Sequence, residues 1–271
     1  VLMCGPLHVI HDPAINTGIP RILRENGVLA LPMDCYPLGD ESPPMGRMVW
    51  ADSRRALQTA AAARERGGVY PLLLSSFGCG PAAFSEPSFA ALMSGYPHTI
   101  LETDGHGGKA GFVTRIQAFI HTIRSHDGRP SPAPADRITM FERQRRPSIE
   151  LERDSKLVTY SMSDGVAPLM AAFYRSVGFD AVAAGPNDEE SLAQGRRDCS
   201  GKECVPYQLI WGAFRARLEA DPTDERTVLM QATPAGQCKN CMFTVKDELN
   251  LDRMGIGDRV GVRVAGGEPE F

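Results

Sequence analysis

Apolar and polar positions along the chain fall into two alternating rhythms, one of strand length and one with a helical period. LHVI (7–10) reads as a strand end, and Asn16–Thr17 can cap a short helix over IPRILREN that Gly27 closes. VLALPM (28–33), VYPLLLSS (69–76) and HTILET (98–103) are further strand-like runs. The second of these is apolar almost throughout, as a strand covered on both faces would be. Between the strands, MVWADSRRALQTAAAARER (48–66) predicts a helix stopped by Gly67 and Gly68. GFVTRIQAFIHTIRSH (111–126) places Val113, Ile116, Phe119, Ile120 and Ile123 on one helical face.

DGRPSPAPADR (127–137) interrupts this rhythm, and its Pro, Ser and Ala predict a semi-extended linker. The alternation then resumes. KLVTYSM (156–162), FDAVAAG (179–185), RTVLMQATP (226–234) and DRVGVRVAG (258–266) read as strands. Helices are expected over GVAPLMAAFYRSV with Asp164 as cap, over EESLAQGRR opened by Asn187–Asp188, over 205–220, and over 239–249. A repeated βαβα order favours parallel sheets. The expected fold is therefore α/β, with two tandem Rossmann-like, doubly wound parallel-sheet domains: residues 1–127, a Pro-rich linker at 128–137, and residues 138–271.

Composition narrows the function classes. A formal net charge of -4 argues against a general nucleic-acid binder, whose domain would be basic. No run approaches the ~18 apolar residues of a membrane span. VLMCGPLHVI does not read as a signal peptide. The chain opens in a strand-like segment without an initiator Met, so a piece of a longer polypeptide is expected.

Seven cysteines with no export signal point to a reducing cytoplasm, where thiols serve as metal ligands, nucleophiles or packing groups rather than as disulfides. In an α/β sheet, ligands bind beyond the carboxyl ends of the strands. Cys79 follows VYPLLLSS, Cys238 follows RTVLMQATPAG, and Cys204 opens a helix in SGKECVP; Cys35, in MDCYP, has a weaker setting. Gly78 and Gly80, Gly201 and Gly236 flank the first three. Glycines let backbone N–H groups approach a sulfur, which suits a metal-bound thiolate. A helix N-terminus beside Cys204, with Lys202 near, also favours thiolate.

Two metal sites compete on spacing. Cys199-x4-Cys204 with Cys238-x2-Cys241 could hold a structural zinc tetrahedrally in a partner-binding domain. Cys79, Cys204 and Cys238 could instead supply three ligands to one iron–sulfur cubane. A third reading leaves these thiols as packing groups in a small-molecule-binding α/β protein.

ETDGHGGKAGFVTR (102–115) reads as a Gly-rich turn whose charges cap and hydrogen-bond, with a metal or acid–base role for Glu102, Asp104 and His106 as the alternative. Neither a P-loop nor a GxGxxG or GxSxG motif is present. His121 and His126 read as surface residues, and Arg143, Arg145 and Arg146 as a solvated charge run.

Taken in order, SSFGCGPAAF, LETDGHGGKAGFVTRIQAFIHTI, SGKECVP and TPAGQCKNC resemble the family of large CoA-substrate-specific enzyme activase-related proteins. Its cluster-binding module is similar to the subunits of 2-hydroxyacyl-CoA dehydratases and to double-cubane cluster proteins. The resemblance runs from PLHVIHDPAINTGIP to AGQCKNC. It implies an oxygen-sensitive [4Fe-4S] or related double-cubane iron–sulfur cluster with Cys79, Cys204 and Cys238 as ligands. It also implies an ATP-hydrolysing activator protein or domain as electron donor, and an acyl-CoA as a possible substrate. An oligomer or a longer chain is expected, with no nucleic-acid or membrane partner. Two positions depart from the family pattern. Gly105 stands where an acidic residue precedes the histidine, and Lys239-Asn240-Cys241 stands in place of an Arg-Phe-Gly run, which leaves Cys241 off pattern.

Overall fold

The computed structural model describes residues 1–40, 42–43, 45–76, 78–103, 108–141, 151–160, 165–222, 225–231 and 238–264. They form two compact units, Val1–Gln144 and Arg145–Phe271. The fold is α/β, with a four-stranded, all-parallel sheet in each unit and helices alternating with the strands, consistent with two Rossmann-like domains. Among the described residues no helix is long and apolar enough to cross a membrane.

In the first unit the strands are β1 (Leu2–Cys4), β2 (Leu31–Pro32), β3 (Pro71–Ser76) and β4 (Thr99–Thr103), ordered β2-β1-β3-β4. β3 is central, and its first five residues are buried, as the apolar run predicts. The register pairs Met3 with Leu72 and Leu73 with Ile100. β2 is a two-residue edge strand. Proline lacks an N–H and is tolerated at such an edge, and the chain turns into a 3-10 helix at Met33–Cys35.

The helices of this unit are α1 (Leu7–His11), α2 (Ile19–Glu25), α3 (Ala51–Arg66), α4 (Ala82–Leu92), α5 (Lys109–Arg124) and α6 (Ala135–Phe141). LHVI, expected as a strand end, is helical. The strand lies ahead of it at Leu2–Cys4, and Pro6 sits at the N-cap of the following helix. A four-residue apolar run does not by itself separate the two states. Asn16–Thr17 do not cap α2, whose N-cap is Gly18 without a side-chain cap; Asn16 instead accepts from the Gly18 N–H at 2.9 Å in the turn before it. α4 has no clear signature in the sequence. Pro87 interrupts it, and residues 82–86, 88, 89 and 92 are buried, so no polar stripe marks a helical period.

The Pro-rich segment packs on the first unit. Arg64, 5% exposed, donates to the Ser131 carbonyl and hydroxyl and to the carbonyls of Leu92 and Ser94. The Arg47 N–H donates to the Phe141 carbonyl beyond it. Segment and helix α6 thus belong to the first unit, and the division between units falls after residue 144. His126 is not a free surface residue either, since its Nδ1 lies 3.0 Å from the Tyr70 hydroxyl. Arg143, Arg145 and Arg146 lie outside the described residues.

The second unit repeats the topology. Its strands are β5 (Lys156–Thr159), β6 (Asp180–Ala183), β7 (Thr227–Gln231) and β8 (Val260–Val264), ordered β6-β5-β7-β8. β7 is buried along its whole length. The helices are α7 (Val166–Ser176), α8 (Glu189–Arg196), α9 (Val205–Ala220) and α10 (Phe243–Arg253). Asp188 caps α8 in a capping box with Ser191, the arrangement its sequence predicts. Asp164, expected to cap α7, lies outside the described residues.

α8 and α9 approach backbone to backbone. A Cβ on Gly195 would lie 1.8 Å from the Gln208 carbonyl oxygen, and one on Gly212 would lie 1.6 Å from the Ser191 oxygen. Only glycine permits that crossing. It fixes the start of α9, where Cys204 sits.

Candidate functional site

Parallel α/β sheets present their loops for ligands at the carboxyl edge, where the strand order reverses. In both units that reversal lies between the first and third strands. Cys79 follows β3 and Cys238 follows β7, so each comes after the third strand of its sheet. Cys204 is the N-cap of α9, the helix that leads into β7, and so lies at the same carboxyl edge of the second sheet.

At Cys79 the chain makes a tight turn in which its N–H donates to the Ser76 carbonyl at 3.0 Å. Gly78 has a φ of +74° and open space around it, so the residue answers to backbone conformation rather than to crowding. The turn is braced from below. Ser75 donates to the buried Glu86 carboxylate at 2.6 Å, linking the strand to α4.

The three thiols are open to a ligand in a way that Cys4 is not. Cys79 and Cys204 are half-buried and Cys238 is exposed. No hydrogen bond among the described residues ends on any of their sulfurs. Cys4, by contrast, is fully buried in β1, lies 3.8 Å from the Thr59 hydroxyl, and has its pKa pushed up to about 12 by burial. It is a packing cysteine. Cys35 is exposed in the 3-10 turn after β2.

Cys199 and Cys204 line one cavity of about 530 Å³ together with Arg196, Glu203 and Gln208. Burial, with the Glu203 charge second, pushes the Cys199 pKa up to about 12. Cys238 and Cys241 share a turn in which the Cys241 N–H donates to the Cys238 carbonyl at 3.1 Å. Burial and the neighbouring Cys238 raise the Cys241 pKa to about 11.

Cys199, Cys204, Cys238 and Cys241 all lie among the described residues of the second unit. There, no three Cys, His, Asp or Glu side chains are placed to hold a metal ion. The same holds for every set of three such side chains among the described residues, the four cysteines and the set of Cys79, Cys204 and Cys238 alike. Glu102 is half-buried in β4, while Asp104 and His106 lie outside the described residues.

Beneath these loops is a buried polar layer that sequence reading missed. Glu203, adjacent to Cys204, accepts from the Ser200 N–H and hydroxyl at 2.8 and 2.9 Å. Its other oxygen lies 3.2 Å from Lys246 Nζ, with side-chain exposures of 0% and 3%. The next residue, Asp247, accepts from the Gln231 amide at the end of β7 at 2.7 Å. Two consecutive residues of α10 thus hold the Cys204 loop and the strand end that precedes Cys238. Burial raises the Asp247 pKa to about 7 against the hydrogen bonds from Gln231 and Tyr207. VKDELN gave no sign of this, because a run of charges ordinarily marks a solvated helix face.

Comparison of the chain with protein-family models, with curated proteins and with solved structures found no match.

Proposed function

We propose that this chain is an iron–sulfur protein of the ATP-driven low-potential reductase or dehydratase kind, working in a reducing cytoplasm. Cys79 of the first unit and Cys204 and Cys238 of the second are its thiolate ligands. The observation that carries the reading is positional. Cys79 and Cys238 follow the third strand of two identically ordered parallel sheets, at the edge where such sheets take ligands. Each unit thus carries a thiol that follows its third strand.

Donor chemistry fits as well. Sulfurs that are accessible and carry no hydrogen bond are free to ligate, and soft thiolates select iron–sulfur clusters or zinc. A [4Fe-4S] or double-cubane cluster would supply one-electron chemistry at low potential, tuned by hydrogen bonding and burial. The chain's own part is to hold the thiols. Glu203 and Lys246 fix the loop before Cys204, Asp247 and Gln231 fix the end of β7, and Ser75 with Glu86 fixes the end of β3. The electron donor in this reading is an ATP-hydrolysing activator, and the substrate class is an acyl-CoA.

Protein purified under strict anoxia should contain iron and acid-labile sulfide in comparable amounts, with visible absorbance that bleaches on dithionite. Cys79→Ala should lose both while the protein stays folded. Iron-free wild-type protein, or iron retained in Cys79→Ala, Cys204→Ala and Cys238→Ala alike, would overturn the reading.

A further inference from the structure

Cys241 has no part in the proposed ligand set, yet the fold sets it against Cys238. The Cys241 N–H donates to the Cys238 carbonyl at 3.1 Å, which closes a four-residue turn. Such a turn brings the Cα atoms of its first and last residues within about 7 Å, inside the range that a disulfide can bridge without moving the backbone. Cys238, the N-cap of the 3-10 turn Lys239–Met242, has extended backbone angles of φ -66° and ψ 142°. The two thiols differ in access, Cys238 being exposed and Cys241 half-buried. No hydrogen bond among the described residues occupies either sulfur. Cys4, whose sulfur is engaged, shows what a packing role looks like in this chain: complete burial in a strand.

We propose that Cys238 and Cys241 form a dithiol–disulfide site that reacts with small-molecule disulfides by thiol–disulfide exchange. The exposed Cys238 sulfur attacks one sulfur of the incoming disulfide, breaking its S–S bond and releasing one thiol. Cys241 then attacks the Cys238 sulfur of the mixed disulfide and releases the second thiol. The two protons of the protein thiols end on the two small thiols. The protein loses two electrons and the small disulfide gains them, so the step balances with no further reactant. This assignment does not rest on the cluster reading. It has a consequence for it, since a Cys238 locked in the disulfide is no ligand, and a dithiol reductant restores it.

The test uses the full chain, stripped of metal with a chelator and fully reduced, then equilibrated with oxidised glutathione. Free thiols are trapped with iodoacetamide and the protein is digested. Trypsin cuts after Lys239, between the two cysteines, so their fragments stay joined only through a disulfide. Where that bond resists cleavage, the intact peptide is lighter by two hydrogens. The wild type should yield this linked species and little glutathione on Cys238. Cys241→Ser should instead accumulate the Cys238–glutathione adduct, about tenfold or more above wild type, because the intramolecular second step is gone. Full alkylation of both cysteines, equal adduct in wild type and variant, or a bond from Cys238 to a different cysteine would overturn the proposal. Because the protein is iron-free throughout, none of these results depends on whether the cluster reading holds.

Discussion

Replacing Lys246 with Met should cost the second unit about 3 kcal/mol of stability. The side chains of Lys246 and Glu203 are 3% and 0% exposed and their charges are 3.2 Å apart. Met nearly preserves the volume and the flexible stem but removes the ammonium, leaving a buried carboxylate without its counter-charge. Breaking one side of a buried pair costs roughly 3–5 kcal/mol. Ser200 continues to donate twice to the other oxygen of Glu203, which places this case at the lower end. Against a total of about 5–15 kcal/mol for a domain, that is a large fraction.

Trp211 offers a local probe. It is fully buried in α9 and donates to Asp198 at 2.8 Å. With Trp50 changed to Phe, its fluorescence reports on the second unit through a urea titration. Adding Glu203→Gln to Lys246→Met removes the orphaned charge and should restore about 2 kcal/mol, a coupling within the usual range for contacting residues. A Lys246→Met midpoint within about 1 kcal/mol of wild type, or a double variant no better than the single one, would refute the claim that this pair is a dry, mutually dependent brace.

Two further outcomes follow from the same region. Asp247 has its pKa raised from 3.8 to about 7, so its contribution to stability is fully present below the lower value and is lost as pH rises through the upper one. The urea midpoint of wild type, measured from pH 4 to 8, should fall relative to that of Asp247→Asn, and parallel curves would remove the buried carboxyl from the account. Gly212→Ala would place a methyl 1.6 Å from the Ser191 oxygen, so α8 and α9 must separate. A loss of about 1–3 kcal/mol or more is expected in the Trp211 titration, and an unchanged midpoint would contradict the close crossing.

Much of the fold was legible in one dimension because it rests on local periodicity and punctuation. PLLLSS, TVLMQ and the α9 segment from Val205 to Ala220 announce themselves by length and apolar content, and Asp188 announces α8 by its cap. Local signals failed where two states share a pattern. LHVI could be strand or helix, α4 carries a proline and no polar stripe, and the Pro-rich segment gave no hint that Arg64 would bind it. The cysteines at strand ends could be picked out from Gly and Pro in their neighbourhood. Their topological equivalence could not, because it depends on strand order, and strand order is a matter of long-range pairing.

The sequence by itself therefore determined the α/β alternation, the Asp188 cap of α8 and the cysteines that stand outside regular elements. Tertiary structure alone decided that Cys4 packs while Cys79 and Cys238 each follow the third strand of an identically ordered sheet, and that Lys246 and Asp247 turn inward. The reason is physical. Periodicity records which side of an element is apolar, and a buried charge is made tolerable by a partner far along the chain. Glu203 lies 43 residues before Lys246 and Gln231 lies 16 before Asp247, and only folding brings each pair together.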